Sequence, residues 1–428
     1  MVTPADVGDG GPSELFLAAE AGRHECVHRL LQDDPEGTIV NQGTPDHGVT
    51  PLFIAAANGH DLCVKLLVDA PCIAVNQGAP EDDATPLFMA AEFGHHVCVE
   101  HLLRNPCTQV NKARSDNGST PLWVAAQHGH VECVRLLLAN PKTAVNESTA
   151  DGTTSLSVAA QNDHPDCVQL LLSDLRIEVN PVINVDSATP LIMASCNGNT
   201  KCVQILLDDT RTIIDQARLD NGATALLLAA QNGHLECVEL LLSKSHNLVN
   251  TPMVTDLTTP LIVAAHYGHI EVLRLLLLDS IPGLVRHFPT WRGCFMTALL
   301  CNTVAVATTA TTSRISWLPI QLWKYIFSFL RPRTDVTAAL RMDAPLSAFA
   351  VKEALMPGAT ALWQAAFRGH TACVELLLEH DDISLVVSQP DAAGRTPLRA
   401  AQENGHTECA ALLEVHLASI RRCTFFKL

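Results

Sequence analysis

The chain has 428 residues, 45 of them Asp or Glu and 28 Lys or Arg, for a formal net charge of −17. With no dense Lys/Arg stripe, that balance argues against binding to nucleic acid by phosphate neutralisation; it suits a basic partner surface and equally serves solubility alone. Fifteen cysteines raise the question of disulfides or zinc, which the order of residues answers.

Met1–Pro12 has neither a positive region nor an apolar run and reads as a disordered N-terminus, not a signal peptide. From residue 13 a unit of about 35 residues recurs. Its clearest copy runs Thr50-Pro51-Leu52-Phe53-Ile54-Ala55-Ala56-Ala57-Asn58-Gly59-His60, then Cys63-Val64-Lys65-Leu66-Leu67. The leucine after Thr-Pro recurs at Leu15, Leu52, Leu87, Leu122, Leu156, Leu191, Leu226, Leu261, Leu362 and Leu398, with gaps of 37, 35, 35, 34, 35, 35, 35, 101 and 36. A fixed period of this length predicts stacked supersecondary units in place of one central core.

Within the unit, Thr50 is placed to cap a helix whose first position, Pro51, needs no N–H. Leu52, Ala55 and Ala56 share one helical face, and the small alanines permit close approach of a neighbour. Gly59 sits where the short helix must end. Cys63, Val64, Leu66 and Leu67 mark a second helix, and an Asp/Gly/Asn/Pro-rich stretch leads on.

Nine cysteines form one column on the second helices: Cys26, Cys63, Cys98, Cys133, Cys167, Cys202, Cys237, Cys373 and Cys409. Stacked helices lie about 8–10 Å apart, whereas a disulfide wants Cα atoms within about 7 Å. The column therefore reads as small buried apolar residues in a reducing compartment. Cys72, Cys107, Cys196, Cys294, Cys301 and Cys423 fall outside it without ligand-like spacing. His-x-x-Cys recurs, as at His60/Cys63 and His95/Cys98, but zinc needs four converging ligands, so no metal and no cofactor are expected. No phosphate loop, His-Glu-x-x-His or nucleophile elbow occurs, so no catalytic residue and no enzyme are expected.

Taken together, these residues resemble the ankyrin repeat, over 13–280 (repeats one to eight) and 358–420 (repeats nine and ten), roughly three-quarters of the chain. The resemblance implies an all-α solenoid of about ten helix-turn-helix repeats with hairpin-like fingers between them. Two departures stand out. The period exceeds the usual one by about two residues, which are assigned to the finger. The family's histidine after Thr-Pro-Leu is replaced by Phe53, Phe88, Trp123, Ser157, Ile192, Leu227, Ile262, Trp363 and Arg399, which suggests apolar stacking where the family has a polar link. Repeats nine and ten are too few to stand alone and are expected to stack on repeat eight, with the intervening segment looped out.

In proteins of this kind the residues after the alanine pair face a concave groove that binds partners. Here they vary as though free of structural duty. The candidate partner-binding residues are Asn58, Phe93, His128, Asn162, Asn197, Asn232, Tyr267, Phe367 and Arg368. The resemblance implies a protein-binding scaffold or adaptor, a monomer, with no nucleic-acid or membrane partner.

The rhythm breaks over 281–357. The apolar stretch near Phe295–Ala307 is too short and too polar to span a bilayer, and Ala305–Thr312 reads as a linker. The segment is read either as decayed repeats or as a separate element. Its Leu318, Leu322, Ile326, Phe329 and Leu330 fall on one helical face behind Pro319. This stretch, 317–330, resembles the opening of an F-box, although the family's later Val-Cys-(Lys/Arg)-x-Trp has no counterpart after Arg331-Pro332-Arg333. That resemblance implies an alternative function, substrate receptor of a cullin–RING ubiquitin ligase, with Leu318, Pro319, Leu322, Ile326, Phe329 and Leu330 contacting a Skp-type adaptor. Residues 421–428 form a tail whose Cys423 is not fourth from the end, so no prenylation is expected. The whole reads as a cytoplasmic or nuclear protein.

Overall fold

The computed structural model describes residues 12–45, 47–181, 188–245, 249, 251–253, 258–277, 360–379, 387–391 and 393–425. The segment 281–357, with its F-box-like stretch, lies outside the described residues. Two compact units emerge, one of Met1–Thr255 with Thr259–Val285 and one of Asp256–Thr258 with Arg286–Leu428.

Among the described residues there are twenty α-helices and no strand, only an isolated bridge between Ser148 and Thr154. In the first unit the first helices of repeats one to eight are Glu14–Glu20, Pro51–Ala57, Pro86–Glu92, Pro121–Gln127, Ser155–Gln161, Pro190–Asn197, Ala225–Asn232 and Pro260–Tyr267. The second helices are His24–Asp33, Asp61–Val68, His96–Arg104, Val131–Ala139, Pro165–Ser173, Thr200–Asp208, Leu235–Lys244 and Ile270–Leu277. The second unit holds Ala361–Arg368 with Thr371–Leu378, and Pro397–Glu403 with Thr407–Phe425.

The caps follow the sequence closely. Thr50, Thr85 and Thr120 are extended, and each hydroxyl accepts the backbone N–H three residues on at 3.2 Å, ahead of Pro51, Pro86 and Pro121. Helices of seven to ten residues are too short to persist alone, since isolated helices need about 12–15. Their stability comes from stacking. First helices pack on first helices and second on second along each unit. Leu52, Leu87, Leu122 and Leu156 are buried at this seam, and the alanine pairs Ala55/Ala56, Ala90/Ala91 and Ala125/Ala126 are fully buried. Each such leucine is worth about 1.5–3 kcal/mol of burial.

The cysteine column is buried except at Cys26, which is half-buried. Burial pushes the thiols up, to about 11 at Cys63, Cys167 and Cys373 and about 12 at Cys98, Cys133 and Cys202. They are neutral packing groups.

The expectation of purely apolar stacking between repeats is corrected by a polar seam. In seven repeats the histidine of the turn reaches back to a carbonyl in the last turn of the first helix of the repeat before. Nε2 lies 2.9 Å from Glu20 O in His60, 3.0 Å from Ala57 O in His95, 2.9 Å from Glu92 O in His130 and 2.9 Å from Gln127 O in His164. His234, His269 and His406 repeat the contact. A carbonyl only accepts, so Nε2 carries the proton. A polar link between repeats is therefore present, made by the turn and not by the residue after Thr-Pro-Leu.

On the other edge, Asn41, Asn76, Asn111, Asn146 and Asn180 each clamp the next repeat through both amide groups. Asn76 is typical: Nδ2 donates to Cys107 O and Oδ1 accepts from Gln109 N, each at 2.7 Å. The fingers close as tight turns, with Thr44 N to Val49 O at 3.0 Å and Arg114 N to Ser119 O at 2.9 Å. Repeat five closes one residue sooner, Thr149 N to Thr153 O at 3.1 Å, which accounts for its 34-residue spacing.

Candidate protein-binding face

The residues after the alanine pair lie at the C-terminal end of each first helix, beside the polar seam. They divide into two groups that the sequence does not separate. Asn58, Asn162, Asn197 and Asn232 are not free of structural duty, and that reading is corrected. Their Nδ2 groups donate to Glu20 O (3.2 Å), Gln127 O (3.1 Å), Gln161 O (2.9 Å) and Cys196 O (2.7 Å) of the preceding repeat. Each therefore shares an acceptor with the seam residue two positions on. A helix end leaves its last carbonyls unpaired, so one carbonyl can take both donors.

Phe93, His128 and Tyr267 occupy the same position and lie against their own repeat's seam histidine. Ring centroids are 6.3 Å apart for Phe93–His95, 6.0 Å for His128–His130 and 6.3 Å for Tyr267–His269. Phe93 is 53% exposed, and His128 is exposed too. The large exposed ring and its histidine neighbour therefore give repeats three and four the open part of this column. In the second unit Phe367 stacks on buried Trp363, with centroids 5.0 Å apart and planes 13° apart, while exposed Arg368 lies 5.9 Å from the Phe367 ring.

The seam removes the His-x-x-Cys metal reading on geometric grounds. His164 is typical: Nε2 is engaged with Gln127 O, and a Cβ built on Gly129 would fall 2.5 Å from Nδ1. Neither nitrogen has room for a cation. Burial, opposed by the hydrogen bond to Glu92 O, holds His130 below the ordinary imidazole range. Among the described residues no group of three or more His, Cys, Asp and Glu side chains is placed to hold a metal, and no helix is long and apolar enough to cross a membrane.

A second column on this side was missed as a candidate, that of the residue following Thr-Pro-Leu. Phe88 in repeat three is 1% exposed, and the Arg114 guanidinium from the next finger lies 5.5 Å from its ring centroid. Arg114 also pairs with Asp82 at 2.7 Å and Asp116 at 2.8 Å. Trp363 in repeat nine is fully buried beneath Arg395 at 5.2 Å, and its Nε1 donates to Arg395 O at 2.8 Å. Phe53 and Trp123 are only half-buried, and the Trp123 Nε1–H has no acceptor among the described residues. The sequence signal was available: an arginine in the next finger accompanies Phe88 and Trp363, and none accompanies Phe53 or Trp123.

The family model for ankyrin repeats (3 copies) matches residues 4–79, 87–183, 141–216, 176–252, 211–283 and 342–420. Human transient receptor potential cation channel subfamily A member 1 is 48% identical over 56 residues, 13% of this chain and 5% of that protein, so the chain spans about a twentieth of the relative's length. The crystal structure of the human ASB11 ankyrin repeat domain is similar at 29% identity and a TM-score of 0.46, covering 54% of this chain and 98% of that one.

Proposed function

As a member of the ankyrin repeat family, this chain is, we propose, a scaffold or adaptor that binds a protein partner through its first-helix face, without catalysis of its own. The observation that carries this reading is the open column at Phe93 and His128, where large side chains take no part in tying one repeat to the next. Large side chains packed at the centre of an interface, aromatic ones among them, carry most of its binding energy. The reading includes Tyr267, Phe367 and Arg368 as further contacts. It makes the asparagines contacts only in so far as their second amide face stays open. Free, mostly buried cysteines fit a reducing compartment, cytoplasm or nucleus. Affinity capture with intact protein and with a Phe93→Ala/His128→Ala variant tests the reading. A partner held by the first and lost by the second, at unchanged helicity, supports it; equal capture removes it.

A second reading rests on the Leu318-Pro319-x-x-Leu322-x-x-x-Ile326 pattern with Phe329 and Leu330, a substrate receptor recruiting a Skp-type adaptor. Recombinant adaptor retained by the intact protein and not by Leu318→Asp supports it. No retention by the intact protein eliminates it.

A further inference from the structure

Within one chain, the same structural position is met with and without a cation over its aromatic ring. Phe88 and Trp363 are covered by Arg114 and Arg395 from the following finger, at 5.5 and 5.2 Å, and are 1% and 0% exposed. Phe53 and Trp123, one repeat to either side of Phe88, are followed by fingers with Ala79 and Thr149 at the position of Arg114 and Ala84 and Thr153 at that of Arg395, and both side chains are half-buried. Trp123 lacks both of the partners that hold Trp363. Among the described residues no guanidinium lies above it, and none accepts its indole N–H. The carbonyl just before the N-cap threonine accepts the finger-closing backbone N–H in both places, Asp391 N at Arg395 O and Thr149 N at Thr153 O; its second donor is the Trp363 indole at Arg395 but the Thr149 hydroxyl, at 3.1 Å, at Thr153.

The fingers beside the two half-buried rings carry a net negative charge. In finger residues 77–84, 112–119 and 147–153, six carboxylates (Glu81, Asp82, Asp83, Asp116, Glu147 and Asp151) stand against Lys112 and Arg114. Both cations are already tied, Lys112 to Asp83 at 3.2 Å and Arg114 to Asp82 and Asp116.

We infer that the finger side of repeats two to four binds a basic segment of a partner protein, two of whose Arg or Lys side chains lie over Phe53 and Trp123 as Arg114 lies over Phe88. The inference rests on the proposed protein-binding function and names the chemistry of its partner. Half-buried aromatic rings attract guanidinium and ammonium groups at their accessible part, and the surplus carboxylates steer such a segment to the surface. Two repeat steps of about 8–10 Å each, at about 3.3 Å per extended residue, place the two cations five to six residues apart.

The test uses the full chain and a fluorescein-labelled Gly/Ser peptide carrying two arginines six residues apart, read by fluorescence anisotropy at physiological salt. Controls are the same peptide with both arginines replaced by glutamine, and with the arginines two residues apart. The glutamine peptide is expected to bind at least tenfold more weakly, the short-spaced peptide several-fold more weakly, and Phe53→Leu or Trp123→Leu to weaken the arginine peptide roughly 3- to 30-fold. A Phe88→Leu variant serves as the control for packing loss. The inference is overturned by no saturable binding, by equal binding of the glutamine peptide, or by Phe53→Leu and Trp123→Leu proteins that fold and bind unchanged. A captured partner that is lost with Phe93→Ala/His128→Ala but kept by Phe53→Leu/Trp123→Leu leaves the protein-binding function standing and removes this inference alone.

Discussion

Repeats five to seven and repeats three and four carry the same scaffold with different residues at the end of the first helix. In the first set, Asn162, Asn197 and Asn232 donate to the carbonyl already held by the seam residue of their own repeat. In the second, Phe93 and His128 leave that carbonyl to the histidine alone and lie against its ring. One position therefore serves cohesion in one stretch and is open to a partner in another. What varies between repeats is not uniformly surface, and a variable residue can be a brace.

The seam itself shows how tightly the two sides are matched. Where repeats have glycine at the turn, the next repeat presents histidine; where repeat five has Asp163, at φ +58, the next repeat presents Asn199. Asn199 keeps the bond, with Nδ2 at 2.8 Å from both Ala160 O and Gln161 O, without a ring where the Asp163 Cβ stands.

The largest expected effect tests that match. Gly129→Ala forces a Cβ into a left-handed residue (φ +72) and within 2.5 Å of His164 Nδ1, and should cost about 2–4 kcal/mol by combining backbone strain with overpacking. Calorimetric melting measures it, and a loss below about 1 kcal/mol would break the account of the seam. Next, Asn199→His should destabilise by about 1–3 kcal/mol through overpacking, and Asp163→Gly should restore most of it. Additive effects in a double-mutant cycle would show the pair to be independent.

Smaller effects separate the two stretches directly. Asn197→Ala or Asn232→Ala should each cost about 0.5–1.5 kcal/mol, the net worth of one hydrogen bond. Phe93→Ala or His128→Ala should stay within about 0.5 kcal/mol, as at an uncommitted surface site. Equal losses in denaturant titrations would erase the distinction between brace and binding residue.

The smallest effect at neutral pH concerns thiols. Exposed Cys72 and Cys107 should be alkylated readily at pH 7, while Cys98, Cys133 and Cys202 stay unlabelled until the array opens, as peptide mass mapping would report. Because folded values near 12 lie above the ordinary thiol value of 9.0, this contribution to stability is complete below about pH 9. It is lost as pH rises from there toward 12. Melting temperature should accordingly fall over that alkaline range, and less steeply in a Cys133→Ala variant.

Much of the molecule was legible in the residues alone. The thirty-five-residue rhythm of leucine, paired alanine and cysteine marked the helices, because burial of a short amphipathic helix demands the same apolar positions each time. Thr50 and Pro51 announced a helix start through chemistry confined to one turn. What the sequence could not decide was which long-range partner each polar residue finds. His60 stands beside Gly59 in the string, and its bond to Glu20 O forty residues away exists only once two repeats are stacked. Asn58 and Phe93 looked interchangeable in the string, yet only the stacked helices bring a carbonyl within reach of an amide and leave a ring outside. Phe53 and Phe88 are the same residue in the same slot, and the finger of the following repeat determines which of them meets an arginine.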